Sequence, residues 1–478
     1  MLRQNKAAFL AAAAALALGG CTTVGPNFKP PQAPSEASYA MPGDATTALA
    51  SDLTGAGPWW RGLGSATLDG LEDAALAGNR TVAQANANLA AAQAAQASVA
   101  GSLEPQVDAA AAIQRERINT AAFGFSGIPG LPAFPNPSIT LYSVGPSVSY
   151  DLDLFGGGRR RLEQASARTE ASADRARAAY LSVTGNVALA AVRIAALANR
   201  VVALEGIIAD DEQTLALVHR AQAAGAEAPS ASHVGDAQLA LDRAQLPPLT
   251  QALDQQRHAL SLLLGRPPGS WSAPKFTLAD FTAPARVPAS VPSELVRRRP
   301  DILAAEADLH ADTAAIGVAA AARYPSLRLT GSLTQEALSP DKLFSFASTA
   351  YAFGPGLTAP IFHGGSLKAN QRQAEAEARA ALAVYEQTVL TAFGQVADVL
   401  SNLGEDDQRL SALELAVSTG EAALADARTA YRLGGGTLVQ VTTEQRNLEE
   451  ARLQLADAQG QKLADIVQLF AATASDWR

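Results

Sequence analysis

Few residues in this chain of 478 have the type and spacing that enzyme or metal chemistry requires. The five histidines are scattered, and no two of them stand at the helical spacing of metal ligands. They are His219, His233, His258, His310 and His363. The glycine runs lack the Gly-Lys-Ser/Thr that completes a phosphate-binding loop, and the sequence contains no nucleophile elbow or supported carboxylate dyad. It therefore favours a protein that is not an enzyme and that has no metal or other bound cofactor.

The chemistry that the sequence does favour is acylation of its only cysteine, Cys21. Arg3 and Lys6 precede an apolar run of about 14 residues, which is too short to span a bilayer permanently and fits a secretory signal. The segment from Leu18 to Cys21 then resembles a bacterial lipobox, in which the thiol is acylated before cleavage. We therefore expect residues 1–20 to be a signal peptide and Cys21 to carry a covalent lipid. The alternative is a stray cysteine behind an ordinary signal peptide.

The residue after the cysteine indicates the membrane. Thr22 stands where an aspartate would retain a lipoprotein in the inner membrane under enteric-type sorting rules, so the outer membrane is the expected location, with its lipid as a partner. Residues 21–58 are rich in Pro, Ala and Ser and lack periodicity. They predict an extended tether rather than a domain.

Composition and charge narrow the class of protein further. Hydrophobic residues make up 48% of the chain, but aromatic residues only 5%. Because much of the apolar content is alanine, we expect closely packed helices rather than a bulky globular core. A net charge of -9 argues against nucleic acid as a partner. The arginine runs Arg159–Arg161 and Arg297–Arg299 are interpreted as solvated helix ends.

Alternation of apolar and polar residues predicts four amphipathic strands. From Tyr142 to Leu154 the apolar residues take even positions, while Ser and Asp take most odd ones. A partner strand is predicted at about residues 106–117, across a Gly/Pro/Phe-rich loop. The second half repeats the arrangement, with alternation over residues 327–334 and a further strand at about residues 350–362.

A helix of unusual length follows each strand pair, predicted over residues 159–224 and 366–433 and about 100 Å long in each case. In the second, an apolar or aromatic residue recurs at every seventh position. These residues are Leu382, Val389, Val396, Leu403, Leu410, Val417, Leu424 and Tyr431. Such a repeat imposes a left-handed supercoil on packed helices, and the first long helix has the same pattern from Val183 to Leu204.

Shorter helices accompany each long one, so the chain reads as a tandem duplication of helix, two strands, long helix and helix. The short helices are predicted at residues 79–101, 234–264, 301–323 and 439–470. We place the two repeats at residues 59–264 and 293–478, with a linker at residues 265–292. The fold class is mainly α with a small β part.

Four strands cannot close a barrel, since known outer-membrane barrels have at least about eight. Two copies of the chain would supply eight strands and three would supply twelve, and only the larger barrel leaves a wide lumen. Apolar side chains would face lipid and polar ones the lumen. Glycines where the strands meet the long helices would supply backbone freedom and space. They are Gly156, Gly157, Gly158, Gly364 and Gly365.

Four segments carry a family resemblance that covers nearly the whole mature chain. They are PWWRGLGSATLDGLEDAALAGN at residues 58–79, LVRRRPDILAAEADLHADTAAIGVAAAARYPSL at 295–327, PIFHGGSL at 360–367 and TAFGQVADVL at 391–400. The sequence resembles the outer-membrane factor family of TolC-like efflux channels, in its lipidated NodT-type branch. The resemblance implies a homotrimer with a twelve-stranded outer-membrane β-barrel, continuous with a periplasmic α-barrel of coiled helices. It also implies a tip that is closed at rest and opens when a periplasmic adaptor (membrane fusion) protein and an inner-membrane transporter dock.

In that family an acidic ring constricts the pore at the periplasmic tip. The usual Asp-Ala-Gln of this region is Thr443-Glu444-Gln445 here, so Thr443 replaces the customary aspartate. Val439 falls where a constricting apolar residue is expected, and Asp236 is interpreted as the equivalent of Glu444 in the duplication. Three copies of each carboxylate would form a collar that favours cations. The position of the gate stays open, as does the alternative that both are ordinary surface charges.

The predicted function is a passive exit duct that carries drugs or other small toxic compounds from the adaptor and transporter to the exterior. Two alternatives remain: the outer-membrane channel of an ATP-driven secretion system, and a lipid-anchored coiled-coil scaffold without a pore. The scaffold would explain the heptads and Cys21 but would leave the strand pairs unexplained.

Overall fold

A computed structural model describes residues 23–32, 39, 41, 49–50, 58–119, 136–282, 287–288 and 292–473. The helices in this part of the chain are α1 (Ala66–Gly78), α2 (Arg80–Ser102), α3 (Gly157–Ala223), α4 (Pro229–Leu263), α5 (Pro292–Arg298), α6 (Pro300–Ala321), α7 (Ser366–Arg432) and α8 (Leu438–Thr473). One antiparallel sheet contains β1 (Gln106–Arg117), β2 (Ser138–Leu152), β3 (Ser326–Ala337) and β4 (Thr349–Thr358). A two-residue parallel pairing joins Leu49–Ala50 to Val287–Pro288.

The two predicted long helices are confirmed. Helices α3 and α7 each contain 67 residues and begin within two residues of the predicted starts. Half of the eight heptad residues of α7 are buried, and three of them, Val389, Val396 and Leu403, lie in the main core and expose 4%, 0% and 1% of their surface. A strip that recurs every seven residues remains on one side of a slightly underwound helix, which is why these residues reach the core together.

The four predicted strands are also confirmed, although the boundaries of β2, β3 and β4 differ from the predicted ones. Strand β1 covers the predicted residues 106–117, but β4 ends at Thr358 rather than near residue 362. Pro360 follows two residues later, and proline has no N–H to donate to a strand ladder. Strand β2 ends at Leu152 because the next residue, Asp153, leaves the ladder to cap a helix.

The predicted short helix at residues 79–101 is confirmed as α2, and Asn79 separates it from α1. Its side-chain oxygen accepts hydrogen bonds from the backbone N–H groups of Thr81 (2.8 Å) and Val82 (3.2 Å), so it caps the start of α2. Its side-chain nitrogen donates to the Leu263 carbonyl oxygen at 2.7 Å. One asparagine thus begins one helix and holds the end of another.

Backbone contacts divide the chain into two compact units. The first takes its described residues from Met1–Pro30, Ala90–Glu170 and Glu306–Ala383, and it contains the sheet. The second takes them from Pro31–Leu89, Ala171–Ala305 and Val384–Arg478. Each unit draws on both sequence repeats, so the repeat boundaries at 59–264 and 293–478 remain predictions about the duplication and do not describe these units.

The second unit holds the main hydrophobic core. Trp59 and Trp60 are 5% and 2% exposed, and the ring of Trp59 stacks on that of Phe470 with centroids 5.5 Å apart. The PWWRG segment therefore anchors the entry of the chain into this core. Arg299 is 9% exposed and donates to Asp301 at 2.7 and 3.0 Å and to the Ala472 carbonyl oxygen at 3.0 Å.

The interpretation of both arginine runs as solvated helix ends is wrong for one residue in each. Arg299 in the second run and Arg160 in the first are buried and make several hydrogen bonds each. A guanidinium has five N–H donors. It can therefore donate to carbonyl oxygens that lack a backbone partner at a helix end or in an extended segment. Composition alone does not reveal those acceptors, because they are backbone groups.

A carboxyl group lies inside the core of the second unit. Glu72 on α1 has no exposed surface, and neither of its carboxyl oxygens has a hydrogen-bond partner among the described residues. Burial, reinforced by the nearby charges of Asp69 and Asp73, raises the pKa of Glu72 to about 9. The side chain is therefore neutral at pH 7 in the folded protein.

The protonation of Glu72 predicts a pH-dependent stability. Its pKa is about 4.5 in an unfolded chain and about 9 when folded, so the folded state binds the extra proton between these values. The free energy of unfolding should therefore fall as the pH rises through this window, by up to about 1.4 kcal/mol per pH unit. We expect Glu72→Gln to remove this component in thermal unfolding measured from pH 5 to pH 8.5, whereas the exposed-site control Asp73→Asn should largely keep it. Parallel wild-type and Glu72→Gln curves would contradict the assignment.

Candidate functional site

The sheet of the first unit has one apolar and one polar face. Residues directly opposite each other in neighbouring strands lie on the same face. Val107 pairs with Val148, and Val148 with Gly331, which pairs with Phe353. A second row across the sheet is Leu152, Leu327 and Leu357. These rows carry much of the exposed apolar surface of the unit: Val107 is 70% exposed and Phe353 is 85% exposed.

The opposite face is lined by hydroxyl and charged groups. Asp151 on β2 accepts two hydrogen bonds from the Arg328 guanidinium on β3, at 2.6 and 2.8 Å. Ser149 pairs with Thr330, and Ser147 with Ser332, in the adjoining rows. A sheet with one exposed apolar face and one polar face can separate lipid from water in a membrane β-barrel.

The sheet is open at both edges. The strand order is β1-β2-β3-β4, so within the described part of the chain β1 pairs only with β2 and β4 only with β3. Each outer edge therefore presents a row of unpaired N–H and C=O groups. In hydrocarbon each unpaired group would cost several kcal/mol, so the sheet must pair with further strands before it can span a membrane.

The first strand-to-helix junction is tightly packed. Gly156 has a φ of +76°, and a Cβ placed there would lie 2.8 Å from the Thr23 Cα atom. Gly157 and Gly158 begin α3, and a Cβ on Gly158 would lie 2.6 Å from the side chain of Leu103. Asp153 caps the helix, accepting from the backbone N–H groups of Gly158 and Arg159 at 2.9 and 2.8 Å.

The second junction also has glycine at positive φ, but without the packing. Gly364 and Gly365 have φ values of +57° and +84°, and a Cβ on either would meet no atom within 4 Å. Phe155 at the first junction stacks on Tyr324 at 4.7 Å, whereas its counterpart Phe362 is 87% exposed. The glycines of the first junction thus supply both conformation and space, and those of the second supply conformation. The roles assigned to all five glycines remain predictions.

The expected tether contains a docked segment that the sequence did not indicate. Residues 23–32, which we name the strap, lie against the start of α3 through Arg160. Its guanidinium donates to the carbonyl oxygens of Val24 (3.2 Å) and Gly25 (3.3 Å) and to Asn27 Oδ1 (2.6 Å). It also pairs with Glu163 at 2.7 Å. Arg160 is 3% exposed, so these bonds are shielded from water.

A second contact fastens the strap to α6. The ring of Phe28 stacks on His310 with centroids 4.4 Å apart, and His310 Nε2 lies 3.0 Å from Glu163 Oε1. Burial opposes ionisation of Glu163, but hydrogen bonds from Arg160 and His310 outweigh it and lower its pKa. His310, one of the five scattered histidines, therefore has a structural contact. Cys21 lies outside the described residues, so its lipid remains a prediction.

Two glycine-containing turns join the long helices to the helices that follow. Gly225 has a φ of +75° in the α3–α4 turn, and Gly434 has a φ of +78° in the α7–α8 turn. The hydroxyl of Tyr431 lies 3.4 Å from the Glu227 carboxylate, which links the two turns. The predicted gate residues lie beyond these turns, within the first eight residues of α4 and α8.

The four predicted gate residues lie at or near the surface of the single chain. Val439 is 70% exposed, and Thr443 Oγ1 donates to its carbonyl oxygen at 2.8 Å. The Asp236 carboxylate lies 3.7 Å from His219 Nε2, and Glu444 Oε2 accepts from Asn447 at 3.5 Å. Counted from the start of each helix, Asp236 corresponds to the residue after Glu444. Their part in a gate remains a prediction.

No group of three or more histidine, cysteine, aspartate or glutamate side chains could hold a metal ion within the residues that the structure describes. The site is therefore characterised by surfaces and turns rather than by a reactive cluster.

Comparison with known proteins assigns a family. The family model described as outer membrane efflux protein matches residues 71–266 and 291–475, which confirms the predicted duplication. The toluene efflux pump outer membrane protein TtgI of Pseudomonas putida is 30% identical over 474 residues, covering 97% of both chains. The outer membrane protein OprJ of Pseudomonas aeruginosa is 30% identical over 466 residues, covering 97% of this chain and 94% of OprJ. The solved structure of the outer-membrane channel OprN matches with a TM-score of 0.86 at 29% identity, covering 95% of this chain and 99% of that one.

The contacts of Arg160 predict that one substitution will release the strap. Arg160→Met keeps the apolar stem but removes three hydrogen bonds to residues 24–27, and bonds to a charged donor contribute about 1.5–3 kcal/mol each. We expect hydrogen exchange at residues 24–29 to accelerate by at least about tenfold. Arg161→Met, at the exposed neighbouring position, is the matched control and should leave exchange unchanged. Equal exchange in both variants would show that Arg160 does not hold the strap.

Proposed function

Because this chain belongs to the outer membrane efflux protein family, we propose that it forms the exit duct of an efflux pump in the outer membrane. The observation that carries the proposal is the four-stranded sheet, apolar on one face, polar on the other and open at both edges. A chain with such a sheet is incomplete alone, and it becomes a wall once its edges pair with those of other copies.

Three copies form the duct in this proposal. Two copies would close only eight strands, whose interior is filled by side chains, whereas twelve strands enclose a water-filled lumen. In the trimer, the apolar row through Val107 and Phe353 faces lipid, and the Asp151–Arg328 pair faces the lumen. The long helices α3 and α7 continue the duct into the periplasm as a barrel of coiled helices.

The duct is passive, and its partners supply the energy. The sequence contains no phosphate-binding loop, so transport must be driven elsewhere. An inner-membrane efflux transporter and a periplasmic adaptor are the proposed partners. TtgI is named as the outer membrane protein of a toluene efflux pump, which supports small toxic compounds as the exported class. Substrate selection then belongs to the transporter, since a wide wet lumen discriminates poorly.

Opening occurs at the two turns that end the long helices. Two observations support this location. The hydroxyl of Tyr431 contacts the carboxylate of Glu227 between the two turns, and Val439 and Asp236 lie at the surface, where they can contact another protein. Docking of the adaptor would replace contacts among the tips with contacts to itself, which shifts the population from closed to open. A lipid on Cys21 adds a membrane anchor close to the strap, which begins two residues later.

Single-channel conductance tests the proposed duct directly. The purified, detergent-extracted protein should have the mass of a trimer and give long-lived current steps in planar bilayers. A trimer without steps calls for a variant shortened at the α3–α4 and α7–α8 turns, which should conduct if the tip is sealed. A monomer, or a shortened trimer that does not conduct, would contradict the duct and favour a scaffold without a pore.

The acidic collar is tested by removing its carboxylates. Asp236→Ala and Glu444→Ala should each weaken the preference for cations or make the closed channel leakier, since rings of carboxylates concentrate cations. Glu414→Ala, at an exposed position before the end of α7, controls for the loss of one negative charge per chain. Conductance, ion selectivity and antibiotic susceptibility that all match the wild type would exclude the collar.

A further inference from the structure

One side-chain arrangement occurs twice in the second unit, once in each half of the chain. On α4, Asp242 accepts hydrogen bonds from the side-chain amides of Gln238 (2.7 Å) and Gln245 (3.0 Å). On α8, Asp465 accepts them from Gln461 and Gln468, both at 3.0 Å. The spacing is Gln-x3-Asp-x2-Gln in both helices, which places the three side chains on one face.

Each clamped aspartate is buried and meets a second aspartate on the preceding long helix. Asp242 is 5% exposed, and its carboxyl group lies close enough to Asp211 on α3 to raise the pKa of that residue. Asp465 is 2% exposed and has the same effect on Asp406 on α7. We call these the first and second carboxyl pairs.

Each carboxyl pair contains a buried oxygen atom that lacks a hydrogen-bond donor among the described groups. Oδ2 of Asp211 and Oδ2 of Asp406 are buried, and neither has a hydrogen-bond partner among the donor groups that the structure describes. An ionised carboxylate only accepts, so two facing carboxylates hydrogen-bond only when one of them carries a proton. A shared proton supplies the donor that each pair lacks.

The surroundings of the pairs favour that proton. Burial is the main cause that raises the pKa of Asp211, to about 7, and Asp242 and Asp210 add to it against the opposing charge of Arg446. Glu449 on α8, 6% exposed, faces the same cluster, and its pKa also rises to about 7 through burial.

At the second pair, nearby cations partly offset the rise in the pKa. Burial raises the pKa of Asp406 to about 6, with Asp465 adding to it, while Arg409 and Lys462 oppose the rise. Those two cations are also held by other acids, since Lys462 lies 2.5 Å from Asp407 and Arg409 lies 3.8 Å from Asp457. The two pairs should therefore hold their protons over different pH ranges.

We propose that each carboxyl pair is a proton-dependent lock between a long helix and the helix that follows it, closed while the two acids share a proton and weakened once both are ionised. The proposal goes beyond the exit duct and does not depend on it, because it concerns contacts within one chain. It assigns a function to four acids, three buried and one half-buried, that no motif in the sequence distinguishes.

The first lock lies beside a place where its helix is weakened. Pro247 and Pro248 stand inside α4, two and three residues after the clamp residue Gln245. Neither proline has an N–H, so two bonds of the helix ladder are absent there. When the lock weakens, the segment of α4 before the prolines, which leads to the turn at Gly225, has a built-in hinge about which to move.

A third helix, α8, also contacts the first lock. Gln445 on α8 is 2% exposed, donates to Asp211 Oδ1 at 3.3 Å and accepts from Thr214 at 3.1 Å. The lock thus fixes α3 against both α4 and α8. An ionised pair would repel across this three-helix contact, where burial leaves little water to screen the charges.

Hydrogen exchange of the full chain, measured from pH 4.5 to pH 8.5 and expressed as protection relative to intrinsic rates, tests the locks. An open pair has ordinary pKa values near 3.8, so the closed state binds more protons up to the raised pKa. Protection at residues 204–218 and 236–246 should therefore fall as the pH rises, by up to about tenfold per unit, and level off above about pH 7. At residues 399–413 and 460–470 it should level off near pH 6.

Each lock supplies the control for the other. Asp211→Asn keeps an amide donor for Asp242 and should weaken the pH dependence at the first pair to the part that Glu449 contributes, while leaving that at the second unchanged. Asp406→Asn should abolish the pH dependence at the second pair and leave that at the first. Glu212→Gln, which alters the exposed pair with Arg243 at the same helix contact, should keep the wild-type profile. Protection that is independent of pH in the wild type, or that is unchanged by the asparagine variants, would overturn the proposal. These outcomes are separate from channel conductance, so failure of one proposal is distinguishable from failure of the other.

Discussion

The outer edges of the four-stranded sheet, which pair with no further strand among the described residues, are the constraint on which the rest of this structure depends. Backbone N–H and C=O groups cannot be left free in hydrocarbon, so an amphipathic sheet of this size has to be completed by other chains. That requirement accounts for the outward apolar side chains, which are exposed in the single chain, and for the polar pairing of Asp151 with Arg328 on the other face. It also explains why the helices are long, since a wall that continues beyond the membrane needs elements that associate along their whole length.

The duplicated junctions illustrate how one sequence pattern serves two local environments. Both place glycine at positive φ where a strand turns into a long helix, but only the first is packed against the strap and α2. The first junction therefore has to exclude side chains, while the second needs only the backbone conformation. Arg160 joins this packed corner to residues 24–27, so the chain near the predicted lipid site is fixed to the start of α3. Duplication preserved the turn, and the added strap made the two copies unequal.

Much of the fold could be predicted from the sequence because its patterns are long and regular. The heptads gave α7 to within one residue at its end, and alternation located β1 and β2. Contacts made by single side chains to distant backbone groups could not be predicted in this way. Arg160 and Arg299 belong to runs that resemble solvated helix ends, yet each is buried against carbonyl oxygens far away in the sequence. The contact of Asn79 with the Leu263 carbonyl oxygen was hidden for the same reason, although the helix that begins there was predicted.

The two carboxyl pairs make the contacts of the long helices α3 and α7 differ along their length. When the long helices are aligned on their first residues, Asp406 of α7 corresponds to Leu197 of α3, and Asp211 of α3 corresponds to Gly420 of α7. The two carboxyl pairs are therefore not inherited copies at one position but lie at different distances along the two long helices. Heptad contacts alone would hold equivalent helices equally along their length. Carboxyl pairs at unequal positions, one beside two prolines and one within the main core, let one helix contact loosen while the other stays closed.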